Sequence, residues 1–170
     1  MPITRQQISL RPAKPEDEGF LRLVYADSRK TELAQVQWPE GALEQFLRHQ
    51  FDAQAAHYTQ HYPGAEFLVV ECDGARVGRL YIFRGPADIR VMDIALLEDA
   101  RGHGIGTTLL QEILDEGQAT NRNVSIHVEK FNPARRLYER LGFQIAGDRG
   151  VYWLMHRAPS GALAQTTSGA

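Results

Sequence analysis

The most informative segment of the chain is DIALLEDARGHGIGT, at residues 93–107. Its apolar start predicts a buried strand, and its glycine-rich turn leads into Leu109, Leu110 and Ile113 at helical spacing. Glycines allow positive φ angles and let a ligand approach the backbone, and the free N–H groups of a helix start attract anions. We therefore expect this turn to bind a phosphate or pyrophosphate, with Arg101 as an added cation.

The same glycines have a plainer interpretation, because they could simply allow the turn to pack. Two common phosphate-binding motifs do not fit. A Walker loop requires Gly-Lys-Ser/Thr, whereas Gly106-Thr107 has no lysine. A dinucleotide fold requires a third glycine where Thr107 stands, and it places the turn after its first strand. Here three or four predicted strands precede the turn, so both classes are excluded.

Outward from this segment, hydrophobic periodicity predicts a mixed α/β protein. A strand at 8–11 precedes two helices, which are predicted to start at Pro15 and at Pro39. Asp73-Gly74 marks a hairpin between the next two strands. Asn132-Pro133 opens a short helix, and Arg149-Gly150 marks a last hairpin. The predicted order is strand, two helices, three strands, helix, strand, helix and two strands, which indicates a single layer of sheet.

Composition limits the classes of protein that the chain can represent. It has 170 residues, with 19 Lys plus Arg against 21 Asp plus Glu, and its net charge of -2 argues against nucleic-acid binding through bulk positive charge. No apolar run reaches the ~18 residues of a membrane span, and the first residues lack a signal-peptide core. Cys72 is the single cysteine, which excludes an internal disulfide. We expect a cytoplasmic protein with one domain over 1–158 and a disordered tail at 159–170.

Two motifs occur in a set order along the chain. The first is Arg101-x-x-Gly104-x-Gly106, and the second is NPARRLYERLGF at 132–143, with one predicted helix and one predicted strand between them. In this order they resemble the two signatures of the GCN5-related N-acetyltransferase (GNAT) superfamily. The resemblance covers approximately residues 8–157. It implies a mixed, mostly antiparallel central sheet of about six or seven strands, with about four helices packed on both faces.

The resemblance also implies a co-substrate, acetyl-CoA, and the residues that bind it. In relatives the strand before the turn separates from the next strand, and its backbone binds the pantetheine arm and the thioester oxygen. The asparagine of the second signature holds the pantetheine or its phosphate. The implied cofactor-binding residues are Ile94, Ala95, Leu96, Arg101, Gly102, His103, Gly104, Ile105, Gly106, Thr107, Asn132 and Arg135. For Ile94–Leu96 the alternative is an apolar strand in the core. For Arg135 the alternative is a position on a solvated helix face.

The implied activity is transfer of an acetyl group to a primary amine by direct attack on the thioester. The resemblance makes Tyr138 the acid for the leaving thiolate, although a buried aromatic on a short helix could be purely structural. Asp93 is the implied base, but many relatives carry a further acidic residue where this chain has Met92. Glu129 is an outside candidate. The alternative function is a non-catalytic acyl-CoA-sensing or partner-binding domain on the same scaffold.

Several questions stay open at the level of sequence. The amine could belong to a small molecule or to a peptide, the acyl group could be longer than acetyl, and a homodimer is possible. Neither nucleic acid nor a membrane is expected as a partner. His57 and His61 have i, i+4 spacing without a third ligand nearby, so no metal site is expected. Glu32 and Trp38 are weak candidates for the acceptor pocket.

Overall fold

The structure is a computed structural model that describes residues 7–161. Residues 162–170 of the predicted tail lie outside this range. Within the described range there are seven strands and four α-helices. In chain order these are β1 (Ile8–Pro12), α1 (Glu18–Leu33), α2 (Ala42–His61), β2 (Glu66–Cys72), β3 (Ala75–Arg84), β4 (Asp88–Leu96), α3 (Ile105–Ala119), β5 (Asn123–Glu129), α4 (Arg135–Arg140), β6 (Gln144–Arg149) and β7 (Tyr152–Arg157).

The strands form one mostly antiparallel sheet, which confirms the predicted fold class. Their order is β1-β2-β3-β4-β5-β7-β6. The pairs β1–β2, β5–β7 and β6–β7 are antiparallel, whereas β4 and β5 run parallel. A parallel neighbour requires a crossover, and α3 supplies it between β4 and β5. The turn at 101–107 is the entry to that crossover.

Two helix starts differ from their predicted positions for local reasons. Pro15–Asp17 form a 3-10 turn, so α1 begins at Glu18 instead of Pro15. The second helix was expected to start at Pro39. Gly41 takes a φ of 78° at the N-cap position, so α2 begins at Ala42 instead. A left-handed residue cannot continue a helix, and glycine adopts this conformation without a Cβ penalty.

The described residues belong to two compact units. Unit 1 contains the residues up to Tyr81 together with Ile94–His103, and unit 2 contains Ile82–Asp93 and the residues from Gly104 onward. The single domain expected over 1–158 stays a prediction.

Unit 1 has its core beneath the first two helices. Leu21 and Tyr25 of α1 pack with Phe51 of α2 and Val69 of β2. Beside this core, Asp17 is buried and accepts two hydrogen bonds from Arg11, at 2.7 and 2.9 Å. These bonds hold the pKa of Asp17 well below its usual range. The start of α1 is thereby fixed to β1.

Unit 2 contains the α3 crossover and the parallel pair. The β4–β5 ladder aligns Asp88–Val91 with Asn123–Ile126. Gly117 of α3 lies so close to β5 that a Cβ there would be 2.8 Å from a methyl carbon of Val124. This close approach buries the apolar face of α3, which comprises Ile105, Leu109, Leu110, Ile113 and Leu114.

Candidate active site

The turn at 101–107 has the local conformation that its glycines suggest. Gly102 and Gly104 have φ angles of 78° and 83°, and a Cβ at either would meet no atom within 4 Å. Glycine is therefore needed there for the backbone angle and not for space. Gly106 is the second residue of the α3 helix, so it needs no special angle. The three side chains at Arg101, His103 and Thr107 are exposed.

Helix α3 begins directly after Gly104 and continues to Ala119, a length of 15 residues. The backbone N–H groups of its first turn have no partner within an α-helix, and the helix dipole adds partial positive charge there. Thr108 donates from its backbone N–H and from its hydroxyl to the Gly104 carbonyl, at 3.0 and 2.9 Å. These bonds close the first turn of α3, and the N–H groups at its start are suited to binding an anion.

Arg101, the expected cation of the turn, makes two contacts within unit 1. Its Nη2 donates to Oδ2 of Asp27 at 2.8 Å, and its Nε donates to the Leu96 carbonyl at 3.0 Å. The side chain of Arg101 is still 48% exposed, whereas that of Asp27 is 18% exposed. Sequence reasoning missed Asp27, because a residue of α1 separated from Arg101 by 74 positions leaves no local signal.

Ile94, Ala95 and Leu96 form the last residues of β4, and they are half-buried instead of fully buried. The prediction of a buried strand is therefore wrong for these three residues, because their side chains keep some exposed surface. In unit 1 the Leu97 N–H donates to the Val77 carbonyl at 2.9 Å. The backbone approaches so closely that a Cβ on Gly78 would lie 2.8 Å from Cδ2 of Leu96. The end of β4 is thus held tightly against β3.

Tyr138 is the most deeply buried polar side chain among the predicted site residues. It lies on α4, is 7% exposed, and meets the Phe143 ring edge-on at a centroid distance of 5.9 Å. Burial, with a smaller contribution from the negative charge of Asp93, raises its pKa to about 12. The phenol is therefore protonated at neutral pH and can donate a hydrogen bond.

Asp93 and Tyr138 both belong to unit 2, and the negative charge of Asp93 contributes to the raised pKa of the phenol. Asp93 lies two positions beyond Val91, where the parallel ladder to β5 ends, and its side chain is half-buried. The other candidate base, Glu129, ends β5 and aligns with Tyr152 of β7.

The remaining predicted cofactor residues lie at the start of α4. Asn132 accepts the Ala134 N–H on its side-chain oxygen at 2.9 Å, so it caps the turn that leads into the helix. Arg135 donates to Glu139 at 2.8 Å, in an i, i+4 ion pair whose two side chains are 39% and 46% exposed. The solvated helix face is therefore the observed environment of Arg135.

The weak candidates for an acceptor pocket have local partners. Glu32 pairs with Arg29 at 3.0 Å, and Trp38 donates to the Leu33 carbonyl at 3.1 Å. The rings of His57 and His61 are 4.3 Å apart, and no cluster of three or more potential metal ligands occurs within residues 7–161. No helix in that range is both long and apolar enough to cross a membrane.

A cavity of about 230 Å³ in unit 1 was not expected from the sequence. Arg79 lines it with 1% exposure, between the rings of Tyr25 and Tyr81 at 5.5 and 4.8 Å. Arg79 also donates to Gln54 at 3.0 Å. Apolar and aromatic side chains form much of the remaining wall, among them Leu21, Phe51, Tyr58 and Phe67. An arginine in the middle of a strand gives no sequence signal that its side chain is buried.

Comparison with known proteins places these features in a wider context. Residues 63–145 match the model of the acetyltransferase (GNAT) domain. A protein of Bacillus subtilis (strain 168), named as a candidate ribosomal protein bS18-alanine N-acetyltransferase, is 31% identical over 100 residues. That match spans 57% of this chain and 66% of the relative's length.

Solved structures share the fold at low sequence identity. The PaiA N-acetyltransferase of Thermoplasma acidophilum, in complex with coenzyme A, superimposes with a TM-score of 0.68 at 19% identity, over 89% of this chain and 99% of that one. An acetyltransferase of Thermus thermophilus gives 0.66 at 22% identity, over 89% and 97% of the two chains.

Proposed function

We propose that the chain is a member of the acetyltransferase (GNAT) family and that it transfers an acetyl group from acetyl-CoA to a primary amine. The observation that carries the proposal is the turn at 101–107, whose two left-handed glycines lead into the N-terminus of α3. A pyrophosphate is the part of acetyl-CoA that needs such an anion site. The coenzyme A complex of the PaiA relative supports the choice of co-substrate.

The residues present fit the other parts of acetyl-CoA. The half-buried apolar end of β4, Ile94–Leu96, offers backbone groups and apolar surface to the pantetheine arm. The N–H groups of Ile105, Gly106 and Thr107 serve the pyrophosphate, and Gly102 and His103 shape the approach to them. Asn132 and Arg135 are the further binding residues, although Arg135 would have to exchange its ion pair with Glu139 for a phosphate.

The chemistry needs a neutral amine, because a primary alkylamine with a pKa of about 10 is mostly protonated at neutral pH. In our proposal Asp93 accepts the first proton from the ammonium group, directly or through water, and passes it to solvent, which leaves a neutral amine. The nitrogen forms a bond to the thioester carbonyl carbon, and the carbon–sulfur bond then breaks. The nitrogen loses its second proton, by the same route, once its bond to the carbonyl carbon has formed. Acetyl amide and coenzyme A thiolate are the products of these bond changes.

Tyr138 is suited to stabilise that thiolate by donating a hydrogen bond. Its pKa of about 12 exceeds that of an ordinary thiol, about 8.5, so complete proton transfer to sulfur would be uphill by ~5 kcal/mol. A donated hydrogen bond requires no such transfer and lowers the energy of the departing charge. The thiolate can then take its proton from solvent. The role of Tyr138 is therefore hydrogen bonding, and net proton donation is not needed.

Coenzyme A release during turnover tests the proposed function. The full chain is incubated with acetyl-CoA and a panel of amines that includes a peptide with an amino-terminal alanine, the residue in the name of the Bacillus relative. Free thiol and acetylated amine should appear in equal amounts. A non-catalytic sensor would bind acetyl-CoA and release neither. Lack of acetyl-CoA binding in calorimetry would refute both functions. We also propose that the reaction takes place in the cytoplasm.

A further inference from the structure

Asp27 of α1 contacts the segment that leads into the anion-binding turn at two points. Its Oδ2 accepts the Arg101 Nη2 at 2.8 Å and the backbone N–H of Glu98 at 3.1 Å. All three residues belong to unit 1. One carboxylate oxygen therefore fixes both the backbone before the turn and the cation that begins it.

Arg101 is held at a second point by the end of β4. Its Nε donates to the Leu96 carbonyl at 3.0 Å, so the guanidinium is fixed along its Nε and Nη2 edge. A guanidinium is planar and carries five N–H donors, and contacts along one edge set the direction of the others. With its side chain 48% exposed, Arg101 is oriented and also accessible to an anion.

Asp27 has two opposite effects on anion binding by Arg101. It removes most of the rotamer freedom that a long side chain would otherwise lose on binding, which favours affinity by about three- to tenfold per immobilised side chain. Its negative charge also repels an incoming phosphate. Because Arg101 is about half exposed, water and salt screen that repulsion strongly. The orienting effect should therefore be the larger one.

We propose that Asp27 is a positioning residue for acetyl-CoA, which holds Arg101 and the backbone at Glu98 in the geometry that receives the pyrophosphate. This inference rests on the proposed function, since it assigns Asp27 a part in binding the same co-substrate. Asp27 itself acts through Arg101 and the Glu98 backbone, and it needs no contact with acetyl-CoA.

Calorimetric titration of the full-length chain with coenzyme A tests the inference. We expect Asp27→Ala to weaken binding about tenfold, the equivalent of about 1.4 kcal/mol. Asp27→Asn keeps an oxygen that can accept both N–H groups, so it should bind more tightly than Asp27→Ala. The matched control is Asp52→Ala, which removes an exposed ion pair to Arg22 of the same 2.8 Å length and should bind like the wild type.

The double variant Asp27→Ala/Arg101→Ala separates positioning from a general effect on folding. If Asp27 acts mainly through Arg101, Asp27→Ala should cost less affinity in the Arg101→Ala background than in the wild type. An equal loss in both backgrounds would overturn the inference. In turnover, the KM for acetyl-CoA should rise by a larger factor than kcat falls, and Asp27→Asn should restore much of the loss.

Each alternative gives a different result. If Asp27 mainly repels the phosphate, both Asp27→Ala and Asp27→Asn bind coenzyme A more tightly than the wild type, and the inference is overturned. Equal affinity of all Asp27 variants overturns it as well, while the proposed function stands. If the wild type itself does not bind coenzyme A, the proposed function fails first. Thermal unfolding of each variant confirms that the chain compared is folded.

Discussion

Gly78 in β3 is the position where one added carbon should disturb the end of β4 most. A Cβ there would lie 2.8 Å from Cδ2 and 3.1 Å from Cα of Leu96, and closer still to the Ala95 carbonyl oxygen. Non-bonded carbons are normally ~3.5–4.0 Å apart. Two of these three atoms are backbone, so rotation of a side chain cannot relieve the clash. The Gly78→Ala substitution must therefore push the β3 and β4 backbones apart.

Overpacking of this kind costs about 1–3 kcal/mol in the free energy of unfolding. For a chain of this length, ~2–4 °C in Tm corresponds to each kcal/mol. Gly78→Ala should therefore lower Tm by several degrees in a calorimetric scan. If the end of β4 binds the pantetheine arm as proposed, the same variant should also raise the KM for acetyl-CoA.

The matched control is Gly19→Ala, near the start of α1, where an added Cβ meets no atom within 4 Å. A glycine replaced by alanine in a helix without strain gains about 0.4–1 kcal/mol in stability. The two Gly→Ala substitutions should thus shift Tm in opposite directions. If Gly78→Ala unfolds at the wild-type temperature while Gly19→Ala is stabilised, the close approach of β3 to β4 is wrong.

Three further predictions concern single side chains or backbone angles. Tyr138→Phe should lower kcat about 100-fold in steady-state kinetics and change coenzyme A affinity by no more than about twofold in calorimetry, because it removes the proposed hydrogen bond to the developing thiolate. An unchanged kcat would exclude that bond. Gly104→Ala should destabilise the chain by about 1 kcal/mol through its φ of 83° and weaken coenzyme A binding; equal stability would contradict the left-handed turn. Asp17→Asn should lower Tm at neutral pH and have a smaller effect in acid, because a carboxylate whose pKa is lowered in the folded state stabilises the fold above its unfolded pKa of about 4 and loses that contribution as pH falls. A Tm difference that does not change with pH would contradict this linkage.

Local punctuation made the order of elements predictable from the sequence. The turns at Asp73-Gly74 and Arg149-Gly150 each separate two strands, and glycines separate β4 from α3. The predicted numbers of strands and helices therefore agree with the structure. Boundaries were harder to predict because they depend on single backbone angles. Gly41 delays α2 in this way, and Asn132 caps a turn so that α4 begins at Arg135.

Long-range packing accounts for what sequence reasoning missed. Asp27 and Arg101 meet only because α1 contacts the segment that follows β4 within unit 1, and nothing near either residue in the sequence indicates a partner. Arg79 is a charged residue in a strand, and charged residues are rarely fully buried, yet it is 1% exposed among aromatic rings. Conversely, Ile94–Leu96 look like core residues by composition but stay half-exposed. The hydrophobic pattern thus predicts whether a segment is a strand or a helix, whereas the burial of each side chain depends on neighbours that are distant in sequence.

The environments of the two predicted phosphate cations differ in a way that composition could not show. Arg135 pairs with Glu139 along one exposed helix face, and such i, i+4 pairs contribute only about 0.3–0.5 kcal/mol, so that pair fixes the position of Arg135 only weakly. Arg101 pairs with a carboxylate that also holds a backbone N–H, and it binds a backbone carbonyl as well. An anion gains more from a cation whose position is already fixed, because less side-chain freedom is lost on binding. Of the two arginines, we therefore expect Arg101 to be the better phosphate ligand, and the fixed direction of its guanidinium follows from the contacts with Asp27 and Leu96.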